Sequence, residues 1–97
     1  MDHDSTFPVI IERRLTMRES ANAAPANIVI EIGQPYWIIA GREAACPVAI
    51  RGTVGRVEDI RGIDPMSSMQ QAISFVEIYL EHRASKAKFF WPNGEPY

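Results

Sequence analysis

Few residues in this chain have side chains that support nucleophilic or acid–base catalysis. Cys46 is its only thiol, and it is followed by Pro47, which has no backbone N–H to stabilise an oxyanion. The apolar sequence around it predicts a buried small hydrophobic residue and not a nucleophile. The two histidines, His3 and His82, lie in the polar N-terminus and near the end of a predicted helix. We therefore predict no catalytic residue.

Metal, cofactor and nucleic-acid sites are equally poorly supported. Glu77, Glu81 and His82 lie close in sequence, but the paired histidine spacing of zinc and iron enzymes is missing. Residues 52–56 are rich in glycine but lack the Lys-Ser/Thr pair of a phosphate-binding loop. The net charge of −2 supplies no field strong enough to attract nucleic acid or to repel it. A local basic and aromatic cluster is interpreted as a solvated helix end beside core residues: Arg83, Lys86, Lys88, Phe89, Phe90 and Trp91.

One helix dominates the predicted fold. Asp64 is placed to cap its first turn, and Pro65 suits the first helical position because its missing N–H is not needed there. Apolar residues then recur at three- and four-residue spacing, which predicts a helix over Pro65–Arg83. Its predicted buried face holds Met69, Ala72, Ile73, Val76, Tyr79 and Leu80. Gln70 and Gln71 remain as exposed polar residues without a structural role.

Alternating apolar residues predict the strands. We predict strands at residues 7–17, 27–32 and 45–53, a short bulged strand near 56–60, and a last strand at 88–91; the segment 36–39 is left open between strand and loop. The prediction is one α+β domain over residues 1–97, with residues 1–5 a loose N-terminus. Its antiparallel sheet has three to five strands, one long helix packs on one face, and the order is β-β-β-α-β.

A single helix leaves one face of such a sheet uncovered. Strand parity places Phe7, Val9, Ile11, Ile28, Ile30, Ile32, Cys46, Val48 and Ile50 towards the helix. The opposite face is an apolar centre with charged flanks: Ile10, Glu12, Arg14, Val29, Glu31, Ala49 and Arg51. It is either a solvated face with cross-strand ion pairs or a contact surface for another protein. Arg13 shares parity with the core residues, so we expect it to reach the sheet edge or to pair with Glu77.

The helix start carries a family resemblance. The segment Gly62-Ile63-Asp64-Pro65-Met66, followed by Met69-Gln70-Gln71-Ala72, resembles a motif of small uncharacterised bacterial domains, and the Cys46-Pro47-Val48 segment and residues 91–95 fit the same pattern. The resemblance implies an α+β domain of bacterial origin and no catalytic residue. A looser likeness to the immunity proteins of toxin systems transfers no residue.

These observations favour a small protein-interaction domain, binding a second copy of itself or another protein. The alternative is a small enzyme or ligand binder with a pocket near Tyr36-Trp37 and the segment before the helix. The N-terminal sequence is acidic and polar, unlike a secretion signal, and no apolar run approaches the roughly 20 residues that cross a bilayer. We therefore expect a cytoplasmic protein without membrane, nucleic-acid or cofactor partners.

Overall fold

The computed structural model describes residues 5–97 and contains eight strands and one α-helix in that range. In chain order these are β1 (Val9–Arg18), β2 (Ala26–Gly33), β3 (Tyr36–Ile39), β4 (Glu43–Cys46), β5 (Val48–Arg51), β6 (Gly55–Arg56), β7 (Ile60–Gly62), α1 (Pro65–Arg83) and β8 (Lys88–Phe90). The predicted α+β class is confirmed, and so are the bounds of the helix.

The strands form two antiparallel sheets. Five strands make the larger sheet, in the order β6-β5-β2-β1-β8, and three make the smaller one, in the order β3-β4-β7. The smaller sheet contains the segment 36–39, which is thus a strand. The prediction included one sheet and fewer strands, because alternation along the sequence does not reveal which strands pair.

Pro47 divides the predicted third strand between the two sheets. The chain pairs with β3 and β7 up to Cys46, and from Val48 it pairs with β2 and β6. Proline cannot donate to a strand ladder, so regular pairing stops there. Its carbonyl still accepts a hydrogen bond from the N–H of Gly33. The prediction of one continuous strand is therefore wrong at this residue.

A β-bulge in β1 changes which face its first residues occupy. Ile11 pairs with Ile32, whereas Val9 pairs with Gly33, so Ile10 is the extra residue. Neighbouring strand residues point to opposite faces, and the bulge therefore moves Val9 away from the helix side. Phe7 lies on the same face as Val9, since the Phe7 ring lies against Gly33. The prediction of Phe7 and Val9 on the helix side is wrong for this reason.

Helix α1 begins as its sequence predicts and packs closely on the small sheet. The Asp64 carboxylate accepts a hydrogen bond from the N–H of Ser67 at 2.7 Å. Four residues at four-residue spacing are buried: Ser68, Ala72, Val76 and Leu80. At Gly62 a Cβ atom would lie 2.4 Å from the backbone nitrogen of Ser68. A glycine is thus required where β7 meets the helix.

The core lies between the larger sheet and α1. Its sheet side consists of alternate residues of β1, β2 and the β4–β5 segment, as predicted for six of them: Ile28, Ile30, Ile32, Cys46, Val48 and Ile50. The C-terminal half of β1 adds Leu15 and Met17, and β8 adds Phe89. The N-terminal half of β1 is different, because Val9, Ile10 and Ile11 are exposed.

Candidate interaction surface

The seven residues of the predicted contact face differ widely in exposure. Ile10, Glu12 and Arg14 on β1 are exposed, and Val29, Glu31 and Arg51 are half-buried. Ala49 is fully buried. The binding role of this set remains a prediction, and its accessible part is the β1 end.

Charged side chains on this face pair with each other. Arg51 donates to the Glu31 carboxylate across the strand pair at 3.0 Å, and Arg14 donates to Glu12 along its own strand at 2.6 Å. The exposed pair of Arg14 and Glu12 contributes at most about 1 kcal/mol. The charged groups of this face are therefore paired within the molecule, as the solvated-face interpretation expects.

The segment from Ser5 to Phe7 covers the part of this face nearest β5 and β6. The Ser5 carbonyl accepts a hydrogen bond from Arg51 at 2.6 Å, and its hydroxyl accepts one from Arg56 at 3.1 Å. Both guanidinium groups lie over the Phe7 ring, at 5.9 and 4.8 Å from its centroid. Ser5 is thus held, although it was predicted as part of a loose terminus; His3 and the other residues 1–4 lie outside the described part.

Strand β1 has an open edge along its N-terminal half. On one side it pairs with β2 along nearly its whole length, but on the other it pairs with β8 only from Thr16 to Arg18. Within residues 5–97 no strand pairs with Val9–Arg14 on the side away from β2. An unpaired edge presents free backbone N–H and C=O groups that can pair with another strand.

An apolar groove of about 140 Å³ runs between this open edge and the helix. It is lined by aliphatic and charged residues of β1, β2 and α1: Ile11, Glu12, Arg13, Ile30, Ile32, Ile73, Val76 and Glu77. Ile11 is 46% exposed and Ile73 is 40% exposed, although both were predicted to face the core. The core is thus incompletely covered where β8 ends.

Aromatic residues of the C-terminus meet Arg13 beside the groove. The Arg13 guanidinium donates to the Tyr97 hydroxyl at 2.9 Å and lies 5.4 Å from the centroid of the Trp91 ring. Of the two predicted outcomes, the structure has the edge position, and an ion pair with Glu77 is not found in the described part of the chain. Arg13 lies at a position of β1 that faces the core, and these contacts hold its charged group at the surface.

The helix residues next to the groove form a stripe towards its N-terminus. Met66, Gln70, Ile73 and Glu77 follow i, i+4, i+7 and i+11 spacing, which places them on one side of α1. Ile73 and Glu77 line the groove, and Met66 and Gln70 are exposed on the same side. Gln70, for which the sequence indicates no structural role, is exposed on the side of the helix that carries the two groove residues.

Comparisons with protein-family models, with curated proteins and with solved structures find no match. The resemblance to small bacterial domains therefore stays a prediction.

The alternative site near Tyr36-Trp37 contains one polar chain of contacts. The Tyr36 hydroxyl and the Arg56 guanidinium both donate to the Asp59 carboxylate. The hydrogen bond to Asp59 is the main cause that raises the pKa of Tyr36, with burial and the nearby negative charge adding to it. A raised pKa makes the tyrosinate less available as a base or nucleophile at neutral pH. These contacts therefore do not strengthen the enzyme alternative.

Cys46 is buried and its chemistry is suppressed. Its thiol donates weakly to the Gly33 carbonyl at 3.5 Å. Burial, with a smaller contribution from the Asp59 charge, raises the pKa of the thiol to about 11. The interpretation of Cys46 as a buried residue is confirmed.

Residues 5–97 contain neither a metal-binding cluster nor a membrane-spanning helix. In this range no three His, Cys, Asp or Glu side chains come together as a metal site would require. The described helix also lacks the apolar length that a membrane crossing needs.

The groove was missed from the sequence because Ile11 and Ile73 fit the core pattern of their elements. The first strand is also longer than the last, and a strand of three residues cannot cover a neighbour of ten. The sequence does not show that these two strands pair, so strand lengths alone do not indicate the open edge.

Proposed function

We propose that this chain is a protein-interaction domain whose partner places an extended strand beside Val9–Arg14. The observation that carries the proposal is the coincidence of an unpaired strand edge with an apolar groove alongside it. Strand addition gains affinity from backbone hydrogen bonds and specificity from pockets for alternate side chains. The groove supplies such a pocket.

The groove and its rim fit an apolar side chain flanked by polar ones. Ile11 and Ile73 would lose their remaining exposure when an aliphatic side chain enters between them, which gives about 25 cal/mol for each Å² of apolar area removed from water. Gln70 on the helix is exposed and available for polar contacts, whereas the exposed Glu12 carboxylate on the strand is paired with Arg14. A second copy of the chain is the first partner to test, since its own β1 offers three consecutive aliphatic residues, Val9, Ile10 and Ile11.

Sedimentation of the whole chain tests the proposal. We expect a concentration-dependent dimer that Ile11→Glu abolishes. Ile78→Glu is the matched control, because Ile78 is a similarly exposed aliphatic residue, 55% exposed, on the same helix but outside the groove lining. A dimer that survives Ile11→Glu would contradict the proposal.

If the chain is monomeric, a second experiment tests whether it binds extended peptides of other sequences. Selection from a random peptide library should then yield sequences with alternating apolar residues that shift the amide resonances of residues 11–14 and 73. The Ile11→Glu variant should lose these peptides and Ile78→Glu should keep them. The absence of both a dimer and such peptides rejects the proposal.

A further inference from the structure

A cleft of about 740 Å³ lies at the other end of β1, outside the proposed interaction surface. Its floor comes from β1 and β8, and its walls come from the β1–β2 loop and from the connection between α1 and β8. The principal lining residues are Thr16, Arg18, Ala21, Pro25, Lys86 and Phe90, with Lys88 beside them. The volume lies within the range of about 300–1,000 Å³ that is usual for small-molecule sites.

Three cations from separate segments converge on this cleft. Arg18 ends β1, Lys86 belongs to the helix–strand connection, and Lys88 begins β8. Glu19 is the one acid in the lining, and its carboxylate is engaged by Arg83 at 3.4 Å. The cleft therefore has an excess of positive charge in a protein whose net charge is −2.

Two of these cations occupy opposed positions of the strand pair, and the Arg18 guanidinium also donates to the Ala21 carbonyl at 3.2 Å. The register pairs Arg18 with Lys88 directly. Like charges at directly opposed positions of an antiparallel pair destabilise the sheet. Local conflicts of this kind are expected at functional sites. An anion between the two side chains would offset the repulsion between them.

A flat hydrophobic surface lies next to the paired cations. The register pairs Thr16 with Phe90, two residues along from Arg18 and Lys88 and on the same face of the sheet. Phe90 is half-buried and lines the cleft. Two strand residues span roughly 6.6 Å. A ligand ring stacked on Phe90 and an anionic group bound between Arg18 and Lys88 would therefore be separated by about the width of one sugar.

We infer that this cleft binds a nucleotide, with the base on Phe90 and the phosphate between Arg18 and Lys88. The ring contact is sequence-tolerant stacking of the kind that aromatic side chains offer to nucleobases. The phosphate contact is charge-assisted, and the Arg18 fork suits phosphate oxygens. Lys86 adds a third cation at the wall.

Titration with AMP, followed by amide resonances and by calorimetry, tests the inference. AMP should shift the resonances of residues 16–21 and 86–90, whereas adenosine and inorganic phosphate should each bind at least about tenfold more weakly. Phosphate binding as tight as AMP would overturn the role of Phe90. Adenosine binding as tight would overturn the role of the cations, and no shift with AMP would overturn the site.

Lys88→Gln distinguishes a ligand site from ordinary surface charge. The variant should weaken AMP binding at least about tenfold and raise Tm by a few degrees, because it removes the opposed like charge. Arg42→Gln is the control, since Arg42 is an exposed cation in the β3–β4 turn and should change neither quantity. Unchanged AMP affinity in Lys88→Gln would contradict the inference.

Discussion

Cys46 illustrates how burial determines the behaviour of a residue type that is often reactive. Its side chain is fully buried between the two sheets, and its thiol pKa is raised to about 11 by burial first and by Asp59 second. The thiolate is the nucleophilic form of cysteine. In the native protein the reactivity of the Cys46 thiol is thus suppressed in two ways: little of it is in the thiolate form, and reagents cannot reach it.

Native Cys46 should therefore react slowly with iodoacetamide. At pH 8 a pKa raised from 9.0 to about 11 lowers the thiolate fraction about 100-fold, and burial slows the reaction further. We expect alkylation of the folded chain to be at least about 100-fold slower than in urea, measured by mass spectrometry over time. Native and unfolded rates within a factor of about ten would show that the thiol is accessible.

The same raised pKa predicts how stability depends on pH. The folded state holds the thiol proton more tightly than the unfolded state, so the stabilisation is complete below pH 9 and is lost as pH rises towards about 11. Urea unfolding at pH 8 and pH 10.5 should show this loss in the wild type and a smaller loss in Cys46→Ala. An equal loss in both proteins would assign the effect to other groups.

At the scale of elements, the contact between β7 and α1 depends on one missing side chain. A Cβ on Gly62 would meet backbone atoms of Ser67 and Ser68, which cannot rotate away. Ser68 and Ala72 keep the facing helix surface small, and both are fully buried. The close approach of strand and helix is thus set by the backbone and not by flexible side chains.

Gly62→Ala should destabilise the chain by about 2–3 kcal/mol through this overlap. Gly94→Ala is the control, because Gly94 has a φ of +90° but no atom within 4 Å of its added Cβ. Its cost should be only about 1 kcal/mol, from backbone conformation alone. Urea unfolding compares the two variants, and equal costs would contradict the steric explanation.

The helix was predictable from the sequence because its signals are local. Asp64, Pro65 and the four-residue apolar spacing all lie within one segment, and the structure confirms both ends of α1. Sheet membership is decided by contacts distant in sequence. At Pro47 and at the bulged Ile10, a single residue changes how the strand pairs. The alternation of apolar residues is the same before and after each of them, so it does not indicate the change.

The same distinction explains the candidate sites. The predicted contact face followed from strand parity, and parity correctly grouped Glu31 with Arg51. The groove and the cleft follow from where β8 ends along β1, which no local pattern encodes. The opposed pair Arg18 and Lys88 is likewise separated by 70 positions and becomes neighbours only through the register.

At the scale of the whole molecule, two bulged strands with an open edge carry exposed aliphatic residues: β1 along its N-terminal half, and β3 at the edge of the smaller sheet. One bulge lies at Ile10 in β1 and the other between Trp37 and Ile39 in β3. Bulges on edge strands hinder uncontrolled pairing between copies. The β1 edge has a groove with helix residues beside it, which is why the proposed interaction is assigned to β1.

The molecule is long for its mass. Its principal extents are 50, 22 and 21 Å, and its radius of gyration is 14.5 Å, against about 12.5 Å for a chain of this length with ordinary compactness. The length follows from the division of the strands between two sheets. The chain passes from β4 in one sheet to β5 in the other at Pro47. A narrow body of this kind has a large fraction of its residues at the surface.

This elongation has a hydrodynamic consequence. A rod-shaped particle experiences more friction than a sphere of equal mass, so a single chain of 10.9 kDa should elute from a sizing column early, near the volume of a larger globular standard. Light scattering on the same peak should still return the mass of one chain, or of two if the β1 edges pair. A peak position alone would therefore mistake shape for association, and the scattered intensity separates the two.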